Sequence, residues 1–200
     1  MKNFIQSQWT KYKSRKSKAG IVIDFLFLLL FMAMIHPATR TNIKSFVIRH
    51  TMRSPQESEN KTHLKIQDYD WRYRDLQGQV QHFAALKGEV IFLNLWATWC
   101  PPCIAEFASI DALYQAYNKQ VNFVLISNEE ASSIRAFLEK KQYHIPSYTY
   151  MDEMPTILSS KSIPATYIIS KSGKIVVNKK GAAQWNSDQT KALLDKLIAE

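Results

Sequence analysis

The sequence predicts an α/β fold built on a mixed sheet and preceded by an apolar N-terminal segment, and three observations predict it. Glu89–Trp96 is a nearly continuous apolar run, the pattern of a central strand buried on both faces. Segments of strand and helix period alternate after it, which argues for a parallel or mixed sheet flanked by helices and covered on both faces. Near the C-terminus, Ala165–Ser170 and Lys174–Asn178 flank the turn Lys171-Ser172-Gly173, a hairpin that requires an antiparallel edge.

The elements follow in order from Thr62, and residues 62–200 are long enough to bury a core. Trp71–Arg74 and Val80–Phe83 flank the turn Asp75-Leu76-Gln77-Gly78-Gln79 and read as a first hairpin. The buried strand Glu89–Trp96 comes next. Ile104–Asn118 places Ile104, Phe107, Ala108, Leu113, Ala116 and Tyr117 at helical spacing. Val121–Ser127 is β-branched and apolar. Ala131–Gln142 is helical, with Ile134, Phe137 and Leu138 on one face. Tyr148–Met151 is a short strand, the second hairpin follows, and Ser187–Ala199 closes the chain as a helix carrying Leu193, Leu194, Leu197 and Ile198.

Upstream of Thr62 the chain reads as an address. The net charge of +9 is concentrated: residues 1–18 carry six basic groups and no acid, leaving 20 of the 26 basic residues against all 17 acidic ones. Residues 19–35 are apolar all round from Leu26 to Ile35, and as a helix they reach about 26 Å, the short end of a membrane span. No clean small-x-small cleavage site follows, so an uncleaved signal anchor is expected rather than a removed signal peptide. Trp9 and Tyr12 suit an interfacial position, and the positive-inside rule puts residues 1–18 in the cytoplasm and the remainder outside it. The basic tail then needs no nucleic acid partner. Residues 36–61 read as a tether, and Thr41–His50 as a short strand or helix without an assigned role. A composition of 46% hydrophobic and 22% charged residues excludes a disordered or multi-span protein.

The chemistry rests on two cysteines, Cys100 and Cys103. Alone, Cys-x-x-Cys is a weak signal, and its plainest reading is half of a metal site. The second half is missing: there is no third cysteine, and His50, His63, His82 and His144 are scattered. No metal and no cofactor are expected. What raises the signal is position, because the pair follows the buried strand and opens a helix. The helix N-terminus directs its orphan N–H groups and partial positive charge at the first sulfur, favouring thiolate. Cys100 is thus the expected nucleophile and Cys103, one turn on, the resolving thiol. Pro101 and Pro102 fit the first turn but donate nothing. Only the N–H of Cys103, with Ile104 as a further candidate, remains for the Cys100 sulfur. A smaller fall in the Cys100 pKa, and a more reducing couple, are expected.

Trp96-Ala97-Thr98-Trp99-Cys100-Pro101-Pro102-Cys103-Ile104-Ala105-Glu106 resembles the active site of membrane-anchored thioredoxin-fold proteins of the TlpA/ResA type. Ile163-Pro164-Ala165-Thr166 resembles their cis-proline segment, and Lys171–Val176 followed by Gly181 their final hairpin. The resemblance covers Trp71 to Glu200. It implies a thioredoxin-like fold with an N-terminal β-hairpin extension, held on the outer side of the bacterial inner membrane. It also implies thiol–disulfide exchange, usually as a reductant, on disulfide-bearing exported proteins, apocytochrome c among them. A membrane protein that relays cytoplasmic electrons is the implied donor.

Residue by residue, the resemblance makes Pro164 the cis-proline facing the cysteines. The Ile163 backbone would pair with an extended substrate peptide, and Trp99 would pack over Cys100 and shape the docking surface. Glu106 matches the acid three positions after the second cysteine, implying a proton acceptor for Cys103; its alternative is a first-turn acid favoured by the helix dipole. Thioredoxin carries an aspartate where this chain has Asn94, which takes no proton. The run from Ser147 to Pro164 is short for the family, and its helix is expected to shrink to one turn around Pro155–Leu158.

Three rival readings remain. A periplasmic oxidant differs only in redox potential. A peroxidase needs Thr three residues before its cysteine, where Ala97 stands. A metal chaperone on this scaffold needs a wider cysteine spacing and a histidine.

Overall fold

The structure, a computed structural model, describes residues 17–35, 45–58 and 62–200. The basic tail before Ser17, with Trp9 and Tyr12, lies outside the described residues, as do His36-Pro37 and Ile43. The chain forms two compact units, Met1–Ile43 and Lys44–Glu200.

In the first unit, Lys18–Ile35 is one α-helix of 18 residues (α1). Its large apolar side chains between Val22 and Met32 are all more than half exposed. Lys18 and Asp24 fall within it, and among the described residues no helix is long and apolar enough to cross a membrane.

Among the described residues, the second unit is a seven-stranded mixed sheet with three labelled α-helices and a further helical stretch at residues 45–51. Its strands are β1 (Arg72–Asp75), β2 (Val80–His82), β3 (Val90–Leu95), β4 (Val121–Ser127), β5 (Ser147–Tyr150), β6 (Ala165–Ile169) and β7 (Ile175–Lys180). Its labelled helices are α2 (Pro101–Tyr117), α3 (Ala131–Lys141) and α4 (Asp188–Ala199). The strand order is β2-β1-β5-β4-β3-β6-β7. β3, β4 and β5 run parallel, while both outer hairpins are antiparallel. Every residue of β3 is buried, as the apolar run requires.

Strand periodicity divides the core between the two faces. Val90 and Phe92 point to one face, where Phe107, Ile134, Leu138, Leu194 and Trp185 gather. Ile91, Leu93 and Leu95 point to the other, among Tyr69, Trp71, Phe83, Met154 and Leu158. α2, α3 and α4 all feed the first face. The second is closed by the 3-10 turns Ile66–Tyr69 and Phe83–Leu86 and by the turn at Pro155–Leu158. Helices flanking the sheet were the expectation. Instead, stacked aromatics such as Trp71 on Phe83 (centroids 4.5 Å apart) supply the bulk that an α-helix would bring to the second face.

Residues 36–61 were read as a tether, yet the described part of this stretch is bound to the body. Residues 45–51 are helical, and the Ser45 hydroxyl donates to the Pro101 carbonyl (3.0 Å). The Gln184 amide donates to Arg53, and the Ser58 amide to Val176. A polar composition hides this attachment because backbone groups make most of it.

Candidate active site

β3 ends at Leu95, and a turn closed by the Cys100 amide on the Ala97 carbonyl (3.2 Å) leads into α2. Cys100 is the N-cap of α2, and Pro101 and Pro102 occupy its first turn, where a missing N–H is harmless. Cys100 and Cys103 are joined as a disulfide with Cα atoms 5.3 Å apart. The Cys103 amide points at Cys100 Sγ (3.3 Å). The Ile104 amide donates instead to the Cys100 carbonyl (3.0 Å), so Ile104 gives the sulfur nothing. Cys103 is fully buried and Cys100 is 3% exposed, which makes Cys100 the sulfur a partner meets first.

The loop carrying Ile163 and Pro164 faces this sulfur. The Ile163–Pro164 peptide is cis, and the Ile163 carbonyl oxygen lies 3.9 Å from Cys100 Sγ. Trp96 is core, against Phe107 and Phe137. Trp99, beside Cys100 in the turn, is 64% exposed.

Glu106 is fully buried, which sets aside the solvated first-turn acid. It follows Cys103 by three residues on α2, on the same side of the helix. Trp185 Nε1 (2.9 Å) and the Ala183 amide (3.1 Å) donate to its Oε2, and Asn94 Nδ2 (3.0 Å) donates to its Oε1. Asn94 Nδ2 also donates to the Thr166 hydroxyl (2.8 Å), and Asn94 Oδ1 has no partner among the described residues. Burial pushes the Glu106 pKa from 4.5 up to about 7, against the pull of these three donors and of Lys179. A carboxyl that changes charge near neutral pH beside a dithiol can take and return a proton.

Three partners of this centre carry no motif. Ala183 and Trp185 reach Glu106 from the segment after β7. Glu129, after β4, binds Thr98 in the active-site turn. Separations of 77, 79 and 31 residues leave no local signal for them. Only a strand order placing β4 beside β3 could have suggested Glu129.

A mixed sheet handing a buried strand to a helix capped by Cys-Pro-Pro-Cys, opposite a cis-proline loop, defines a thioredoxin-like thiol–disulfide oxidoreductase. The Redoxin family profile matches residues 65–195. Thiol-disulfide oxidoreductase ResA of Bacillus cereus is 30% identical over 128 residues, 62% of this chain and 72% of that one. The ResA of Geobacillus thermodenitrificans is 31% identical over 111 residues, 53% of this chain and 63% of that one. Among solved structures, a secreted Mycobacterium tuberculosis disulfide oxidoreductase aligns with a TM-score of 0.53 at 24% identity, covering 67% of this chain and 98% of that one. A thioredoxin-family thiol:disulfide interchange protein from Chlorobium tepidum gives 0.51 at 19%, covering 73% and 97%. At those identities the two structures share the fold. The chain belongs to the Redoxin family and is a TlpA/ResA-like member of the thioredoxin family.

Proposed function

We propose that this oxidoreductase works outside the cytoplasm as a reductant of disulfides in exported proteins, apocytochrome c among them. It is held in the bacterial inner membrane by residues 19–35 and recharged by a membrane protein that relays electrons. The observation that carries the reducing direction is the cap on Cys100. One amide faces the sulfur where an uninterrupted first turn offers more, so the thiolate is only modestly stabilised and the dithiol is the better electron donor. The six basic residues of positions 1–18, and the helical state of Lys18–Ile35, support the anchor and its orientation.

The chemistry runs in two exchanges. The Cys100 thiolate attacks one sulfur of a substrate disulfide, a mixed disulfide forms, and the substrate's other sulfur leaves as a thiolate and takes a proton. Glu106, directly or through water, accepts the proton of Cys103. The Cys103 thiolate then attacks Cys100 Sγ, the second substrate sulfur leaves, and two electrons have passed to the substrate. The backbone at Ile163 pairs with the extended substrate chain in the manner of an added strand, and Trp99 and Pro164 border the docking surface.

Replacing Cys103 with Ser blocks the second exchange and tests the reading. The variant, expressed in the bacterium, should accumulate exported cysteine proteins disulfide-linked to Cys100. Cross-links confined to cytoplasmic proteins, or none, would contradict it.

A further inference from the structure

The turn that presents the nucleophile is held from outside its own segment. Thr98 and Trp99 form the tip of the turn closed between Ala97 and Cys100. Both polar groups of Thr98 end on one carboxylate: its amide donates to Glu129 Oε2 and its hydroxyl to Glu129 Oε1, each at 2.6 Å. Glu129 is itself fixed. Fully buried Ser127 donates its hydroxyl to Glu129 Oε2 (3.1 Å), and the Glu129 amide donates back to that hydroxyl (3.2 Å). Ser127 is the last residue of β4, which runs parallel to β3 with Ile126 opposite Leu95. The Trp96 amide donates to the Ile126 carbonyl (3.1 Å). The rigid end of β4 therefore reaches across to the loop leaving β3 through a carboxylate that accepts two short, charge-assisted bonds.

We propose that Glu129 is a positioning residue for exchange with protein disulfides: it clamps the turn so that Trp99 and Cys100 meet a folded or extended partner in one fixed arrangement. The proposal rests on the oxidoreductase reading above. Without the clamp, the Thr98 amide loses its acceptor and the turn samples several arrangements. Exchange with a protein suffers, because alignment of three sulfurs tolerates little displacement. A small disulfide makes no use of the docking surface and turns freely to line its sulfurs up with a displaced thiolate. Glutamine at 129 preserves both bonds, its carbonyl accepting from the Thr98 amide and its amide donating to the Thr98 oxygen, so hydrogen bonding and not charge is the active property.

The test uses the full chain in detergent, reduced, as wild type, Glu129→Ala, Glu129→Gln and Thr98→Val. Insulin serves as the protein disulfide and 4,4′-dithiodipyridine as the small one, the latter across pH to follow the Cys100 thiolate. Glu129→Ala should lower kcat/KM for insulin about tenfold while the dithiodipyridine rate and its pH midpoint stay at wild type, within the reach of a small misalignment. Glu129→Gln should hold insulin turnover within about threefold of wild type, and Thr98→Val, which keeps the amide bond, should lose about threefold. Wild-type insulin turnover in Glu129→Ala, or equal impairment in Glu129→Gln and Glu129→Ala, would overturn the clamp. If Glu129→Ala does not fold, Thr98→Val decides, and an unchanged kcat/KM there overturns it. A wild-type chain that leaves insulin disulfides intact defeats the functional reading itself.

Discussion

Replacing Glu106 with Gln should remove one pH-dependent contribution to stability. Glu106 is enclosed by Asn94, Ala183 and Trp185, and burial lifts its pKa from 4.5 to about 7. A carboxyl with a raised folded pKa holds its proton more tightly in the folded state than in the unfolded one. Its contribution to stability is therefore complete below about pH 4.5 and lost as pH rises through about 7. At 1.36 kcal/mol per pH unit, ionising it in place costs about 3 kcal/mol. Glutamine fills the same volume and never ionises. Its amide nitrogen would face Asn94 Nδ2, but turning the Asn94 amide over brings the unpartnered Oδ1 to meet it. Thr166 can then donate to the same oxygen, so the network closes again. Urea unfolding of oxidised chains beginning at Lys44, from pH 5 to pH 8.5, measures the effect. In the disulfide form neither cysteine titrates. The stability of Glu106→Gln minus that of wild type should rise by about 2.5 kcal/mol across the range, most of it below pH 7, and level off above it. A difference constant within about 0.5 kcal/mol would refute a proton-exchanging Glu106.

Other outcomes follow from the same geometry. Trp185→Phe removes the indole donor to Glu106 and should move the ionisation to still higher pH while costing about 1–3 kcal/mol, read as a shifted inflection in the same unfolding series. Glu106→Gln should also slow the Cys103 step, so that stopped-flow experiments with a peptide disulfide show the mixed disulfide accumulating; an unchanged decay across pH removes Glu106 from proton transfer. Gly173→Ala places a Cβ 2.9 Å from the Tyr69 hydroxyl at a φ of +81°, and should cost about 1–3 kcal/mol in thermal unfolding, part of it recovered in the double variant with Tyr69→Phe. Phe107→Ala empties a fully buried site between Trp96, Phe137 and Tyr143 and should cost about 3–5 kcal/mol in urea.

The parts of the fold visible in the sequence are those with their own periodicity. The run around Phe92 declared a strand buried on both faces, and Lys171-Ser172-Gly173 a hairpin, because burial and turn chemistry are written locally. The Cys-Pro-Pro-Cys cap was legible for the same reason: strand, turn and helix start are contiguous there. Contacts made across the sheet were not legible. Nothing near Glu106 announces that Trp185 and Ala183 will enclose it, so a solvated helix-dipole acid and a buried carboxyl looked alike. Glu129 belongs to no motif, and only the parallel pairing of β3 and β4 sets it beside Thr98. The tether hid its docking because Arg53 and Ser58 bind through backbone groups that every residue carries. The second face of the sheet misled in the opposite direction: α/β alternation suggests helices there, and Trp71, Phe83 and Leu158 fill it from short turns.

The central claim is that Cys100 and Cys103 form one two-electron couple poised for donation. Equilibrating the chain with graded glutathione and thioredoxin mixtures, quenching with acid and alkylating free thiols measures it directly by intact mass. The dithiol and disulfide should interchange in a single two-electron transition, with both cysteines alkylated together, at a potential nearer thioredoxin's value of about −270 mV than the value of about −120 mV of a strong oxidant. Cysteines that stay linked at every potential, that alkylate independently, or that switch near the oxidising value would contradict it.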